Sequence, residues 1–177
     1  ETDWRVKVNI ANALGNYKID HNSPLLYSTL SVLLEHGVND QNTHVSIASW
    51  QAVGKLYAGG STGNLTAWKI QQEFQFFLAS SKATEGHVKA EAIKAYAKIF
   101  RDEVKEELFS IFKSTDNYDI KSAVVSSFGF MDSANVYKEL RQNISNDVQK
   151  YNELHPNKDG SMIGSNDLAK MYRAFVE

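Results

Sequence analysis

Residues 3–15, which read DWRVKVNIANALG, decide the fold of this chain because the same pattern returns three more times. With Val6 as the reference position, the equivalent residues are Val45, Val88 and Ile120, at spacings of 39, 43 and 32 residues. Self-similarity with a period between about twenty and fifty residues is typical of repeat proteins, in which short helical units stack side by side. The pattern therefore predicts four related helices that lie next to one another.

Four other positions of the pattern have a physical role. Three residues before the reference stands a residue that can cap a helix. Seven residues after it stands a small residue, which lets two helices approach closely. A bulky apolar residue follows, and then a glycine or an alanine. We interpret the glycine as the residue that permits the left-handed turn at the end of the helix. The capping residues are Asp3, Asn42, Glu85 and Asn117, the small ones are Ala13, Ala52, Ala95 and Ser127, the bulky ones are Leu14, Val53, Tyr96 and Phe128, and the last ones are Gly15, Gly54, Ala97 and Gly129.

Periodic apolar residues between and after the four copies predict further helices. Both prolines, Pro24 and Pro156, stand where a helix would begin or end. The glycine-rich stretch 59–63 is predicted to be a flexible connector. We expect the repeated helices near residues 4–16, 43–57, 87–100 and 118–130, and C-terminal capping helices over 133–154 and 165–176. The chain is thus predicted to form one all-α domain over residues 1–177.

The first copy resembles the second helix of HEAT repeats, and the segments 42–54, 85–97 and 117–129 look like weaker members of that family. The resemblance covers residues 3–145 and implies a right-handed α-α superhelix, a HEAT-like solenoid of about four repeats. It also implies a base after the reference position that pairs with acids of neighbouring repeats; this position holds Lys7, Lys89 and Lys121, but Ser46 in the second copy. Trp50 stands where the first copy has the small Ala11, which predicts that the second repeat is splayed or rotated.

Composition narrows the classes of function. The absence of cysteine excludes disulfides, thiolate zinc sites and cysteine nucleophiles, but leaves the compartment open. A net charge of −2 argues against broad capture of nucleic acid, and no apolar run is long enough to predict a membrane span. His44 and His87 hold equivalent positions, yet no third metal ligand is evident, and the loop 157–161 lacks the acids of a calcium site. We predict no metal, no cofactor and no catalytic site.

The resemblance implies a candidate binding surface, because the second helices of HEAT arrays line the concave face. Amide and lysine side chains dominate its outward positions and could bind a peptide backbone or an acidic surface; a solvated face without a partner is the plainer interpretation. Trp4, Trp50 and Trp68 are either partner contacts or core aromatic residues. The predicted partner-binding residues are Arg5, Asn9, Asn12, Asn16, His44, Gln51, Lys55, His87, Glu91, Lys94 and Lys98.

These observations predict a non-catalytic scaffold that binds a partner polypeptide on the concave face, with no nucleic acid or membrane partner. The alternative is a structural spacer or accessory domain of a larger enzyme, since the first copy is similar to HEAT segments beside bacterial cyclophilin-type prolyl isomerase domains. A DNA-binding HEAT enzyme is a third possibility, which the net charge disfavours. The chain begins with a second-type helix, so we expect either a fragment or a cover over the end at Trp4. The pattern specifies neither the partner nor the oligomeric state.

Overall fold

The computed structural model describes residues 3–58, 64–80, 86–131 and 134–154, and the regular structure within these ranges is helical. The all-α prediction is therefore confirmed. The helices are α1 (Trp4–Asn16), α2 (Pro24–Asn39), α3 (Thr43–Leu56), α4 (Leu65–Ala79), α5 (Gly86–Phe100), α6 (Lys105–Ser114), α7 (Tyr118–Ser127) and α8 (Ala134–Leu154), with short 3₁₀ turns at Arg101–Val104 and Phe128–Phe130. The predicted connector 59–63 and the predicted helix 165–176 lie outside the described residues.

Side-chain caps fix where three of the four repeated helices begin. The Asp3 carboxylate accepts a hydrogen bond from the Arg5 backbone N–H at 2.9 Å, and Asn42 accepts one from the backbone of α3 at 3.0 Å. Asn117 accepts two, from the first turn of α7. Each cap satisfies backbone donors that have no partner inside the helix. These three predicted caps are confirmed, and Glu85 lies outside the described residues.

The helices that carry the pattern are neighbours in the order of their copies. Helix α1 packs on α3, α3 packs on α5, and α5 packs on α7. Helix α2 packs on α3 and α4, α4 contacts α5, and α6 contacts α7. Leucine and aromatic side chains of α2, α4 and α6 are buried in one core with the small residues of the repeated helices. Three of the four small positions of the pattern, Ala52, Ala95 and Ser127, are buried, whereas Ala13 is exposed.

Two glycines of the pattern allow consecutive repeated helices to touch. A Cβ atom on Gly15 would lie 2.7 Å from the Cα atom of Ala52, and one on Gly54 would lie 2.9 Å from the Cα atom of Ala95. Both glycines lie inside their helices, and neither has a positive φ. The interpretation of these glycines as left-handed helix ends is therefore wrong. They are needed because any side chain would collide with the backbone of the next helix.

Trp50 packs in the core, at 1% exposure, and this rules it out as a partner contact. Its indole N–H donates to the Gly37 carbonyl at 3.1 Å, and a Cβ on Gly37 would lie 3.1 Å from the same nitrogen. A glycine in α2 thus makes room for the large side chain that replaces alanine in the second copy. The predicted splaying of this repeat stays a prediction.

The position of the predicted base shows how the second copy differs from its neighbours. In the first copy, the Lys7 ammonium contacts the Asp40 carboxylate at 2.9 Å. In the fourth copy, Lys121 pairs with Asp147 of α8. In the second copy, the Ser46 hydroxyl donates instead to backbone carbonyls at the end of α2, at 3.3 Å. The ion pair is thus replaced there by hydrogen bonds to the backbone.

Candidate functional site

The predicted binding residues lie on α1, α3 and α5, which are three successive copies of the repeated helix. We call the surface that these residues form the polar face. These residues are exposed or half-buried. Because α1 contacts α3 and α3 contacts α5, residues some 40 positions apart in sequence become neighbours there. Helix α1 supplies Arg5, Asn9, Asn12 and Asn16, α3 supplies His44, Gln51 and Lys55, and α5 supplies His87, Glu91, Lys94 and Lys98.

Hydrogen bonds join several of these side chains across the helices. The Gln51 amide donates to one Glu91 carboxylate oxygen at 3.0 Å, and Lys94 donates to the other at 2.8 Å. The Lys55 ammonium lies 3.5 Å from the Asn16 side-chain oxygen. These contacts link α1 to α3 and α3 to α5 on one side of the molecule.

A groove of about 300 Å³ runs between α3 and α5, and we call it the α3–α5 groove. Gly54 and Ala95 are in close contact in this groove, and neither residue carries a large side chain. The other lining residues are polar and belong to the predicted set: Gln51, Lys55, Glu91, Lys94 and Lys98.

The α3–α5 groove is positively charged, although the whole chain carries −2. It is lined by three lysines and one glutamate. Burial by itself raises the pKa of Glu91, but the hydrogen bonds from Lys94 and Gln51, with the charges of Lys94 and Lys98, outweigh it and hold that pKa below its usual value. Glu91 is therefore a carboxylate at neutral pH. The groove combines one paired carboxylate with an excess of ammonium groups.

The two histidines at equivalent positions contact different neighbours. The His44 ring stacks on Trp4 with 5.1 Å between ring centroids. The His87 Nδ1 atom lies 3.5 Å from a carboxylate oxygen of Asp119 on α7. Within the described ranges, no group of three histidine, cysteine, aspartate or glutamate side chains is placed to hold a metal ion.

A second cleft, of about 930 Å³, lies where α1 begins beside the junction of α2 and α3. Burial alone raises the pKa of Asp40 in this cleft, but hydrogen bonds from the Asn42 backbone, Lys7 and His36 lower it overall. Of the residues in this cleft, the sequence predicts Arg5 as a binding residue and Trp4 as either a partner contact or a core aromatic residue. The sequence signal for this cleft is Asp40, an acid two residues before the cap Asn42. Lys7 of the previous copy pairs with it. The cleft is lined by Asp3, Trp4, Arg5, Lys7, Glu35, His36, Asn39, Asp40, Gln41 and Asn42.

Comparison with protein-family models gives no match, and neither the curated proteins nor the solved structures searched include one with significant similarity to this chain. The resemblance to HEAT repeats therefore rests on the repeated residues themselves. Of the helices in the described parts of the chain, none has both the length and the apolar character that crossing a membrane requires.

Proposed function

We propose that this chain is a non-catalytic protein–protein interaction module, built as a right-handed HEAT-like solenoid of about four repeats. Its partner is a polypeptide that binds along the polar face. Two features of the packing support a solenoid: the repeated helices touch in the order of their copies, and the contact between glycine and alanine recurs from α1–α3 to α3–α5. A translational succession of this kind is what a stacked array requires.

One observation carries the proposal: five of the polar residues that the resemblance to HEAT arrays predicts as binding residues line one groove between α3 and α5. The Gln51–Glu91–Lys94 hydrogen bonds hold side chains of two helices in place before binding. Binding to an ordered surface avoids much of the entropy cost of ordering side chains. Amide groups and ammonium groups can donate hydrogen bonds to the carbonyl groups of an extended peptide.

The test uses a library of random peptides displayed on phage and selected on the purified protein. Peptide affinity is then measured by fluorescence polarisation for the original protein and for the double variant Asn9→Tyr/Gln51→Tyr, which adds bulk to α1 and α3 without changing charge. The matched control is Ser28→Tyr/Gln72→Tyr, at exposed positions of α2 and α4. We expect at least a tenfold loss of affinity for the first variant and less than a twofold change for the control.

Circular dichroism of both variants shows whether the fold is kept. If selection yields no peptide, or if the two double variants weaken binding equally, the polar face is not a peptide-binding surface and the proposal is wrong.

The alternative is a spacer or accessory domain, and a specific observation favours it. Helix α1 exposes Val6 and Ile10, at 47% and 52%, and Tyr17, the residue that follows the helix, is 65% exposed. Apolar side chains clustered on one exposed face often mark a contact with another protein element. A spacer role predicts that any selected peptides bind α1 and lose affinity when Ile10 is replaced by serine. Peptides that do not bind α1 should keep their affinity for the variant Asn9→Tyr/Gln51→Tyr.

A further inference from the structure

We propose that the α3–α5 groove receives an acidic side chain, an aspartate or a glutamate of the partner, between Lys55 and Lys98. The inference rests on the proposed function and specifies the chemistry of the partner. Its basis is the way in which the groove already holds a carboxylate.

Glu91 shows how this surface binds a carboxylate group. One oxygen accepts from the Lys94 ammonium at 2.8 Å, and the other accepts from the Gln51 amide at 3.0 Å. Hydrogen bonds between ionised groups are about twice as strong as neutral ones. An intramolecular carboxylate is thus held by the same residue types that would meet one from a partner.

Two further lysines of the groove are not used in this way. Lys55 lies 3.5 Å from the neutral Asn16 amide, and the Lys98 ammonium lies 5.5 Å from the centre of the Phe130 ring. In the part of the chain that the structure describes, neither lysine forms an ion pair within 4.0 Å. Their ammonium groups can therefore turn toward an added carboxylate without breaking an existing ion pair.

The shape of the groove suits one side chain better than a large ligand. Its volume of about 300 Å³ is at the small end of the range for ligand sites. Gly54 and Ala95 form the floor, so a partner side chain can approach the helix backbones.

The charge distribution favours an acidic polypeptide over nucleic acid. The lining carries a net charge of +2 from three lysines and one glutamate, whereas the whole chain carries −2. Duplex binding depends on many phosphate contacts, and a patch of three lysines beside a carboxylate supplies few. A partner with spaced acidic residues would instead be steered to this groove and repelled by other parts of the surface.

The experiment is a titration of ¹⁵N-labelled protein, followed by NMR, with a ten-residue peptide that alternates glycine and glutamate. The comparison peptide has glutamine in place of glutamate. We expect saturable shifts of the Gly54 and Ala95 amide signals with the glutamate peptide alone, and weaker binding as salt is raised. The variant Lys55→Glu/Lys98→Glu should lower the affinity about tenfold or more, because attraction becomes repulsion.

Two variants separate a specific site from general charge. Lys69→Glu/Lys138→Glu makes the same change in net charge on α4 and α8, and should change the affinity less than twofold. Glu91→Gln removes the carboxylate from the groove and should raise the affinity several-fold. The inference is overturned if the glutamine peptide binds equally well, if the control variant loses as much affinity as the groove variant, or if a short DNA duplex shifts the same signals at lower concentration.

The two proposals can fail separately. If peptides selected from the random library depend on the polar face but carry no acidic residue, the acidic specificity is wrong and the interaction module stands. If no selected peptide depends on that face, the proposed function itself is wrong.

Discussion

Helices α1 and α3 carry the same sequence pattern, yet two positions of the pattern are buried in α3 and exposed in α1. Val6 is 47% exposed and Val45 is 1% exposed. At the small position, Ala13 is exposed and Ala52 is buried. The reason is that α3 packs between two repeated helices, α1 and α5. Within the described ranges, α1 packs on one repeated helix, α3. A repeat position thus contributes to stability only where a neighbouring helix covers it.

The contact between consecutive copies also has a direction. The glycine of one copy faces the alanine of the next, as in Gly15–Ala52 and Gly54–Ala95. Helix α1 uses its glycine side against α3 and leaves its alanine side open. Paired substitutions in α1 and α3 test this difference directly.

The largest difference is expected for leucine at the small position. Ala52→Leu would force a bulky side chain against the backbone at Gly15 and should lower the free energy of unfolding by about 3 kcal/mol or more. Ala13→Leu adds the same atoms on an exposed side of α1 and should change the free energy of unfolding by less than about 0.5 kcal/mol. Urea unfolding followed by circular dichroism measures both. Equal losses would show that α1 is packed on both sides.

A slightly smaller difference is expected at the reference position. Val45→Ala removes two buried methyl groups and leaves a small cavity, so we expect a loss of about 2 kcal/mol. Val6→Ala removes exposed methyl groups and replaces a β-branched residue by a better helix former, so stability should be unchanged or slightly higher. The midpoints of thermal unfolding check the pair. A loss of about 2 kcal/mol for Val6→Ala would contradict the exposure of this side chain in α1.

Alanine at the glycine position tests the close approach itself. Gly15→Ala gains helix propensity, but its Cβ would lie 2.7 Å from Ala52 Cα, so we expect a net loss of about 1–2 kcal/mol. A Cβ atom on Gly129 would meet no atom within 4 Å beyond its neighbours in the chain, and Gly129→Ala should be neutral or stabilising by a few tenths of a kcal/mol. Chemical denaturation of the two variants decides this. A neutral Gly15→Ala would mean that the helices can separate freely.

The smallest effect concerns the ion pair that attaches α1 to the junction of α2 and α3. Asp40 has a lowered pKa in the folded chain, so its contribution to stability is present above the pKa of an unfolded aspartate, about 3.9, and is lost as the pH falls through the lower folded value. The contribution of a partly exposed pair with Lys7 should be about 1 kcal/mol or less. Asp40→Asn should flatten the pH dependence of the free energy of unfolding on the acid side, below about pH 5. If the free energy of unfolding of Asp40→Asn depends on pH as strongly as that of the original protein, the ion pair with Lys7 does not contribute to stability.

Features that depend on a few consecutive residues were predictable. Each of the caps at Asp3, Asn42 and Asn117 depends on one side chain and on the first turn of the helix that follows it. The role of Gly15 was mistaken because a glycine near a helix end also fits a left-handed turn, and only the neighbouring helix shows that close contact is the constraint. The space for Trp50 in α2 depends on Gly37, thirteen residues earlier, for which the pattern gives no signal.

For the candidate site, the sequence predicted which polar residues share helix faces but not which of them meet. The Gln51–Glu91 hydrogen bond and the α3–α5 groove depend on how closely Gly54 and Ala95 bring two helices together. The cleft beside Asp40 was missed because it forms between a helix start and a distant junction.

The sequence by itself determined the helical character, the three described caps and the four copies of one pattern, because capping and periodicity act within one or two turns of a helix. Only the tertiary structure decided that the alanine of α3 is buried while that of α1 is open, and that a positive groove forms on a chain of net charge −2. Burial and local charge depend on which helices become neighbours, and contacts between residues some 40 positions apart are set by packing distances of a few ångströms.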